Sequence, residues 1–168
     1  MSTPEGLIIR PVRDADRDAL WPILRDVIRP GDTYVIDPDI TQEDLLAFWC
    51  DMPAATYVAE RDGVILGTYY IKTNQQGGGA HVCNCGYITA PAAQGQGIAR
   101  AMCVHSQEAA RDLGYVAMQF NFVVASNVGA IALWTKLGFE TVGRLPRAFR
   151  HPEQGLVDAL VMFKWLGD

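Results

Sequence analysis

Long apolar runs are missing from this 168-residue sequence, and so is any excess of positive charge. No stretch of about 18 apolar residues is present that could span a membrane as a helix. The first residues, MSTPEGLIIRPV, lack the basic start and long apolar centre of a signal peptide. We therefore expect a cytoplasmic protein that does not bind membranes. The formal net charge of −5 argues against a nucleic-acid partner, because phosphate binding requires clustered Lys and Arg.

Cysteine and histidine are also scarce, with four and three residues respectively. His81, Cys83 and Cys85 share one face of a predicted strand and are candidate zinc ligands. Three such ligands without a later C-x-x-C pair do not form a standard zinc site. We expect no metal, and cysteines that are reduced and mostly buried.

The composition is that of a globular domain, with 49% hydrophobic and 20% charged residues. A chain of this length is expected to form one domain over residues 1–168 with a substantial core. Residues 1–65 contain 13 acidic and 6 basic residues, whereas residues 66–168 contain 6 acidic and 8 basic ones. The second part of the chain is therefore the better place for an anion.

Apolar periodicity and turn residues predict the order β, α, α, three strands, α, β, α, β, β. The predicted strands cover residues 7–12, 56–60, 64–72, 81–89, 115–124, 139–142 and 157–165. A second helix is predicted over residues 42–50, with Thr41 and Asp44 as its capping signal. This order predicts a single α+β domain with a mixed sheet.

Residues 86–101, reading GYITAPAAQGQGIARA, form the most informative segment. A β-rich run meets Pro91, and Gly95 and Gly97 then precede a helix that is predicted to begin at Ile98. Such a junction directs backbone N–H groups and the positive end of a helix dipole at one point, which suits a phosphate or pyrophosphate.

Two common phosphate-binding motifs do not fit this segment. A dinucleotide-binding G-x-G-x-x-G would need a third glycine where Arg100 stands. The nucleoside-triphosphate loop G-x-x-x-x-G-K-[ST] needs a lysine that is missing here.

The segment resembles the acetyl-coenzyme A loop of the GNAT acyltransferase superfamily, in which Gln or Arg is followed by x-x-G-x-G/A. Gln94, Gly97 and Ala99 match that pattern in order. The run from Asn127 to Phe139 is similar to the superfamily's second cofactor segment, an Asn-led helix that leads into a Gly-Phe strand. The resemblance implies an α+β GNAT fold, with a mostly antiparallel mixed sheet of about seven strands and flanking helices.

The resemblance also implies roles for particular residues, with acetyl-coenzyme A as acetyl donor and a small-molecule amine as acceptor. Backbone groups of Tyr87, Ile88 and Thr89 would pair with the pantetheine arm, and Asn127 would bind that arm. Gly86 and Tyr87 would border a gap between strands, where an unpaired N–H polarises the acetyl carbonyl. The pyrophosphate would be held by N–H groups of Gly95, Gln96, Gly97, Ile98, Ala99 and Arg100.

Two further features concern the chemistry at the acetyl group. Many relatives have a tyrosine where this chain has Trp134, and that hydroxyl is thought to protonate the leaving thiolate. An indole N–H is not an acid at neutral pH, so either water or another group protonates the thiolate, or the step needs little help. For the general base, the sequence offers Glu108, Asp158 and the three histidines, and we favour a bound water held by Asn84 or Asn121.

A narrower resemblance concerns the acceptor. The segments HVCNCGY and QFNFVVASNVGAIALW, with Asn84 and Asn121, are similar to the branch that acetylates cyclic amino acids such as azetidine-2-carboxylate. In that branch these asparagines help to define the acceptor pocket. Relatives that act on phosphinothricin or other amino acids share much of the scaffold, so the acceptor stays open among them.

Other interpretations remain open at this point. The chain could bind acyl-coenzyme A as a sensor without turnover, or it could acetylate protein N-termini or lysines. Arg144, Arg147, Arg150 and His151 are interpreted as part of a solvated loop, or else as contacts to an acceptor carboxylate or a partner chain. The resemblance is also compatible with a homodimer.

Overall fold

The computed structural model describes residues 3–167 and contains seven strands and four α-helices in that range. Their order is the predicted one, which confirms the α+β assignment. The elements are β1 (Ile8–Pro11), α1 (Arg17–Ile28), α2 (Gln42–Leu46), β2 (Ala55–Arg61), β3 (Val64–Thr73), β4 (Val82–Thr89), α3 (Ile98–Asp112), β5 (Ala117–Val124), α4 (Val128–Lys136), β6 (Glu140–His151) and β7 (Gly155–Trp165). Within residues 3–167, no helix is both long and apolar enough to cross a membrane.

All seven strands join one sheet in the order β1-β2-β3-β4-β5-β7-β6. Neighbouring strands are antiparallel except for β4 and β5, which are parallel and are connected by α3. The parallel pair lies at the centre of the sheet. A parallel connection requires a crossover, and here the crossover helix begins at the glycine-rich segment.

Each face of the sheet packs against its own helices, because successive side chains of a strand point to opposite faces. Tyr69 and Ile71 of β3 lie in a core with α3 and α4. Tyr70, between them, lies in a second core with α1 and α2. The Trp49 indole is fully buried in this second core and donates a 3.0 Å hydrogen bond to Thr68 Oγ1.

The helix predicted over residues 42–50 changes its winding partway along. Thr41 accepts the predicted capping bond from the Asp44 N–H at 3.1 Å. Regular α-helix ends at Leu46, and residues 47–51 form a wider π-type turn.

The prediction of a short strand at residues 139–142 and a solvated loop after it is wrong. β6 continues to His151, so Arg144, Arg147 and Arg150 belong to a strand paired with β7. Pro146 lies within β6, although proline cannot donate a hydrogen bond to a ladder. β6 lies at the edge of the sheet, and a register shift between Leu145 and Phe149 accommodates this segment, in which Arg147 has a φ of +52°.

Candidate active site

β4 and β5 separate soon after they begin to pair, and this opening organises the site. Their register contains two residue pairs, Val82 with Ala117 and Cys83 with Met118. Immediately beyond, the Asn84 side-chain amide donates a 2.9 Å hydrogen bond to the Gln119 carbonyl. The rest of β4 therefore faces a gap on its β5 side.

The backbone direction of β4 determines which groups face the gap. At one end of β4, the Ala90 N–H donates to the carbonyl of Leu66 in β3, and at the other end the Val82 carbonyl accepts from the N–H of Asn74, which follows β3. The pairing of β4 with β3 has no register shift between these two bonds. In an antiparallel pair, alternate residues direct both backbone groups at the same neighbour. The even-numbered residues of β4, Gly86 included, thus bond to β3. The odd-numbered residues Cys85, Tyr87 and Thr89 face the gap.

Of the two residues predicted to border the gap, Tyr87 is therefore the one whose N–H points into it. The Tyr87 carbonyl on the same side accepts a 2.6 Å hydrogen bond from the Tyr34 hydroxyl. Burial raises the pKa of both tyrosine hydroxyls. Tyr34 comes from the segment between α1 and α2, so this bond attaches that segment to the gap.

Gly86 has a different structural reason for being glycine. A Cβ at this position would lie 2.7–2.9 Å from three atoms of the Tyr70 phenol. Gly86 and Tyr70 are paired residues of β4 and β3. The missing side chain lets the Tyr70 ring lie flat against β4 and form part of the cavity wall.

The glycine-rich turn has the geometry expected of an anion site. Gly95 and Gly97 have φ values of +77° and +78°, which side-chain-bearing residues rarely adopt. Ala101 N–H donates to Gly97 O, and α3 begins at Ile98. The N–H groups of the residues before Ala101 in the first helical turn point out of the helix end, where the helix dipole favours negative charge.

Two of the predicted cofactor residues direct their side chains elsewhere. Ile88 is buried in the core on the α1 and α2 side. The Gln96 side chain lies outside the cavity and accepts a 3.3 Å hydrogen bond from Arg61. The proposed contacts of both residues are through the backbone. The backbone of Gln96 can still make its contact, whereas Ile88 is an even-numbered residue of β4 whose backbone groups bond to β3, so its predicted contact with the pantetheine arm is wrong. The other predicted cofactor residues line the cavity: Tyr87, Thr89, Gln94, Gly95, Gly97, Ile98, Ala99, Arg100 and Asn127.

Asn127 marks the start of α4 at the opposite side of the gap. Its Oδ1 accepts a 3.3 Å hydrogen bond from Ala130 N–H, so it is the helix cap. The Asn127 side chain also lines the cavity. Trp134 in the same helix is 8% exposed, and its ring lies 5.0 Å from Tyr87 and 5.3 Å from Phe120 between centroids. This indole is therefore part of the aromatic core, although its edge reaches the cavity.

Asn84 and Asn121, the predicted acceptor residues, both line the cavity where β4 and β5 separate. Asn84 is buried, whereas Asn121 is exposed. Asn121 donates a 2.6 Å hydrogen bond to Asn74 Oδ1 and accepts a 2.9 Å bond from Gln119. These carboxamides form a connected polar network at one end of the gap.

One cavity of about 920 Å³ connects the asparagine network with the glycine-rich turn. Among the described residues, its lining includes two charged side chains, Lys72 and Arg100, and no Asp, Glu or His. Residues 33–36, Phe48 and Tyr70 also belong to the lining. The space has the size and the mixed polarity of a small-molecule site.

None of the general-base candidates lines this cavity. Glu108 is exposed on α3. Asp158 accepts from the Arg147 N–H and the Arg144 guanidinium, and these bonds lower its pKa. His105 bonds to the Tyr69 hydroxyl at 2.6 Å, and burial lowers its pKa despite the opposing charge of Glu108.

The remaining candidates are also accounted for. His81 is exposed, and His151 accepts backbone N–H bonds from the turn after β6. Cys83 and Cys85 are buried as free thiols. Across residues 3–167, no group of three His, Cys, Asp or Glu is arranged to hold a metal ion. The basic residues Arg144, Arg147 and Arg150 lie outside the cavity lining.

The fold agrees with that of known proteins. The model of the acetyltransferase (GNAT) family matches residues 21–139. The N-acetyltransferase aca1 of Schizosaccharomyces pombe is 32% identical over 151 residues, which are 80% of this chain and 72% of that protein. The chain therefore belongs to the GNAT family, and it is an acetyl-coenzyme A-dependent N-acetyltransferase.

Solved structures support the same assignment. A GCN5-related N-acetyltransferase from Kribbella flavida has 39% identity and a TM-score of 0.91, covering 97% of this chain and 99% of that one. The acetyltransferase yncA from Salmonella typhimurium, solved with its cofactor acetyl-coenzyme A, shares the fold with a TM-score of 0.85 at 21% identity, over 98% and 96% of the two chains.

Three cavity-lining residues were not predicted from the sequence: Tyr34, Tyr70 and Lys72. Tyr34 lies in a segment without periodicity, so no pattern marked it. Lys72 is the one charged residue of β3, and that contrast was the available signal.

Proposed function

We propose that this enzyme transfers an acetyl group directly from acetyl-coenzyme A to the amine of a small amino acid or a close analogue. The observation that carries the proposal is the single cavity that joins an anion-binding helix start to a polar pocket through the opening between β4 and β5. Donor and acceptor can meet in that opening, and holding both in one cleft contributes roughly 7 kcal/mol or more in favourable cases.

The donor would lie along the β4 side of the gap. N–H groups from Gly95 to Arg100 would hold the pyrophosphate. The outward backbone groups of Thr89 would pair with the pantetheine arm, together with the Tyr87 carbonyl, which can accept a second hydrogen bond besides that from Tyr34. Asn127 uses Oδ1 to cap α4, so its amide nitrogen is the group proposed to donate to the arm. This arrangement places the thioester near Tyr87.

The Tyr87 N–H would then stabilise the negative charge that develops on the acetyl oxygen. It is held by the strand and needs no reorganisation during the reaction. A preorganised donor of this kind is worth on the order of 3 kcal/mol. The amine nitrogen forms a bond to the acetyl carbon, the carbon–sulfur bond breaks, and coenzyme A leaves as a thiolate.

Two protons must be moved in this step. The proton lost by the amine would pass to a water molecule held at Asn84 and Asn121, because none of the described lining side chains is a carboxylate or a histidine. The thiolate would take its proton from solvent. Trp134 is assigned no acid role, since an indole N–H is not acidic near neutral pH.

The acceptor class is inferred from the asparagine pair and the enclosed pocket. The segments around Asn84 and Asn121 resemble the branch that acts on azetidine-2-carboxylate. The attachment of Tyr34 to the Tyr87 carbonyl at 2.6 Å encloses the acceptor end, which favours a small molecule over a peptide. Protein N-termini or lysines are therefore the second candidate, and binding of acyl-coenzyme A without turnover is the third.

The first test follows thiol release from acetyl-coenzyme A with azetidine-2-carboxylate, proline, methionine sulfoximine and phosphinothricin. Release with at least one of them supports the proposal. Release with peptides alone would favour the protein acceptor, and binding without release would favour the sensor. Asn121→Ala should lower kcat/KM on the best acceptor. The fall should correspond to a loss of about 1–3 kcal/mol in transition-state stabilisation, the usual cost of an unpaired polar partner. Gln154→Ala, an exposed carboxamide in the β6–β7 turn, serves as the control.

The second test concerns the donor. Acetyl-coenzyme A should raise Tm more than NAD or ATP does, because a ligand that binds the folded state stabilises it by mass action. Gly97→Val should abolish the shift. Gly155→Val is the matched control, since Gly155 also has a positive φ, of +73°, but lies outside the cavity. A normal shift in Gly97→Val would place the pyrophosphate elsewhere.

A further inference from the structure

Two positive side chains line the cavity, and they belong to different ends of it. Arg100 lies in the first turn of α3, beside the proposed pyrophosphate site. Lys72 lies near the end of β3, directly across from Asn84 of β4. Because directly paired residues point to the same face of a sheet, Lys72 and Asn84 share one wall of the acceptor end.

Aromatic contacts hold the Lys72 ammonium in place. Its Nζ lies 5.3 Å from the centre of the Phe48 ring and 5.5 Å from that of Tyr70. The same Tyr70 ring lies against Gly86, the neighbour of Tyr87. The ammonium is thus one aromatic ring away from the backbone proposed to activate the acetyl group, and a small acceptor can contact both.

No acid neutralises this ammonium within the described part of the chain. The ion pairs between residues 3 and 167 all use arginine, and the cavity lining contributes no carboxylate. An ammonium has three N–H donors, and ring faces do not satisfy them as an anion does. The site therefore has a positive charge and hydrogen-bond donors where the acceptor should lie.

We propose that Lys72 binds the carboxylate of the acceptor and so selects amines that carry one. This inference rests on the proposed transfer to a small amine and names the group that selects it. The amide of Asn84, on the same wall, can donate its second N–H to the same carboxylate. Polyamines and other polycationic amines are disfavoured, because like charges within one cavity repel each other.

The arginines of β6 do not supply this contact. Arg144 is paired with Asp158 at 2.8 Å, and neither Arg147 nor Arg150 lines the cavity. The carboxylate contact that the sequence had suggested for this cluster is therefore reassigned to Lys72.

The test compares carboxylate and carboxamide forms of one amine, namely proline with prolinamide and azetidine-2-carboxylate with its amide. The parent enzyme should prefer the carboxylates. Lys72→Met should lower kcat/KM for the carboxylates by roughly 10- to 100-fold, the effect of losing a hydrogen bond to a charged group. Its values for the amides should change little. The ratio of kcat/KM for the carboxylate to that for the carboxamide is compared between the parent enzyme and Lys72→Met, which cancels the chemical difference between the two amines.

Two variants control for structure and charge. Methionine keeps an unbranched apolar stem against Phe48 and Tyr70, so Tm and the affinity for acetyl-coenzyme A should be retained. Lys72→Arg should keep most of the carboxylate preference. Lys136→Met removes an exposed lysine outside the cavity lining and should leave the ratio unchanged.

Calorimetric binding of the same compounds to the coenzyme A complex separates this inference from the proposed function. Carboxylate binding that Lys72→Met weakens, without turnover of any amine, would support the role of Lys72 and overturn the proposed function. Turnover with an equal carboxylate preference in Lys72→Met would overturn the role of Lys72 alone. Absence of both binding and turnover would overturn both.

Discussion

Adding one methyl group at Gly86 should disturb both the fold and the acceptor pocket. In Gly86→Ala the new Cβ would lie 2.7 Å from Tyr70 Cε1 and 2.9 Å from its hydroxyl oxygen, closer than real Cβ contacts occur. The ring cannot simply move away. It is 6% exposed and its centre lies 4.8 Å from that of Trp49 and 5.9 Å from that of Phe48. The methyl must therefore displace either β4 or this aromatic group.

The size of the effect follows from the cost of overpacking a core, which is typically about 1–3 kcal/mol. Alanine has an intrinsic advantage over glycine of up to about 1 kcal/mol when the backbone suits both, and the φ of Gly86 is not positive. We expect a net loss of about 1–2 kcal/mol. For a chain of this length, that corresponds to a fall in Tm of roughly 2–8 °C.

Urea unfolding followed by tryptophan fluorescence, together with a thermal scan, measures this loss. Gly143→Ala is the control, because its Cβ would lie 3.8 Å from Val161, an ordinary contact, at a site outside the cavity lining. In Gly86→Ala, KM for the acceptor should also rise, since Tyr70 lines the acceptor end. A Gly86→Ala protein as stable as its parent would refute the packing argument.

Three further predictions follow from single contacts. Asn127→Ala removes the cap of α4 and should cost about 1 kcal/mol of stability. It should also reduce the thermal shift with acetyl-coenzyme A, and an unchanged shift would remove Asn127 from the cofactor site. Trp134→Phe keeps the ring contacts with Tyr87 and Phe120. Because Trp134 is assigned no acid role, kcat should fall far less than the ~100-fold expected for loss of a general acid, and a loss of that size would contradict this assignment. The Arg10 guanidinium lowers the pKa of Asp16 in the folded protein. The stability that this carboxylate contributes is therefore fully present above its unfolded pKa of about 4. That stability is lost as the pH falls through the lower folded pKa. Asp16→Asn should therefore flatten the pH dependence of the urea midpoint below about pH 4, and a curve parallel to that of the parent would count against this ion pair.

The order of elements could be predicted because each depends on local signals. Apolar periodicity, the Thr41 cap and glycines at turns lie within a few residues of the elements that they define. The extent of β6 could not be predicted in this way. Its continuation past Pro146 depends on pairing with β7 at the edge of the sheet, which is a property of the assembled sheet rather than of residues 140–151.

The glycine-rich turn was predictable from the sequence for the same reason. Gly95 and Gly97 are needed where they stand because of their own φ angles. The acceptor side is assembled from distant segments, and Lys72 and Tyr34 meet Asn84 and Asn121 only in the folded chain. The choice between Gly86 and Tyr87 likewise required the register of β4 with β3, since a shift of one residue exchanges the groups that face the gap.

Two observations on residues 3–167 define one electrostatic environment: the cavity lining has no carboxylate or histidine, and Lys72 has no ion-pair partner. An amine that enters this cavity as an ammonium would lose its hydration without meeting a carboxylate among the described lining residues, and such burial disfavours the charged form. Repulsion by the Lys72 ammonium acts in the same direction. A carboxylate on the acceptor is instead favoured in its charged form, because it gains Lys72 as its partner. If Lys72 binds the carboxylate as proposed, the cavity favours an acceptor that binds as a carboxylate with a neutral amine, which is the nucleophilic form. Water would then take the proton that the amine loses after it attacks the thioester.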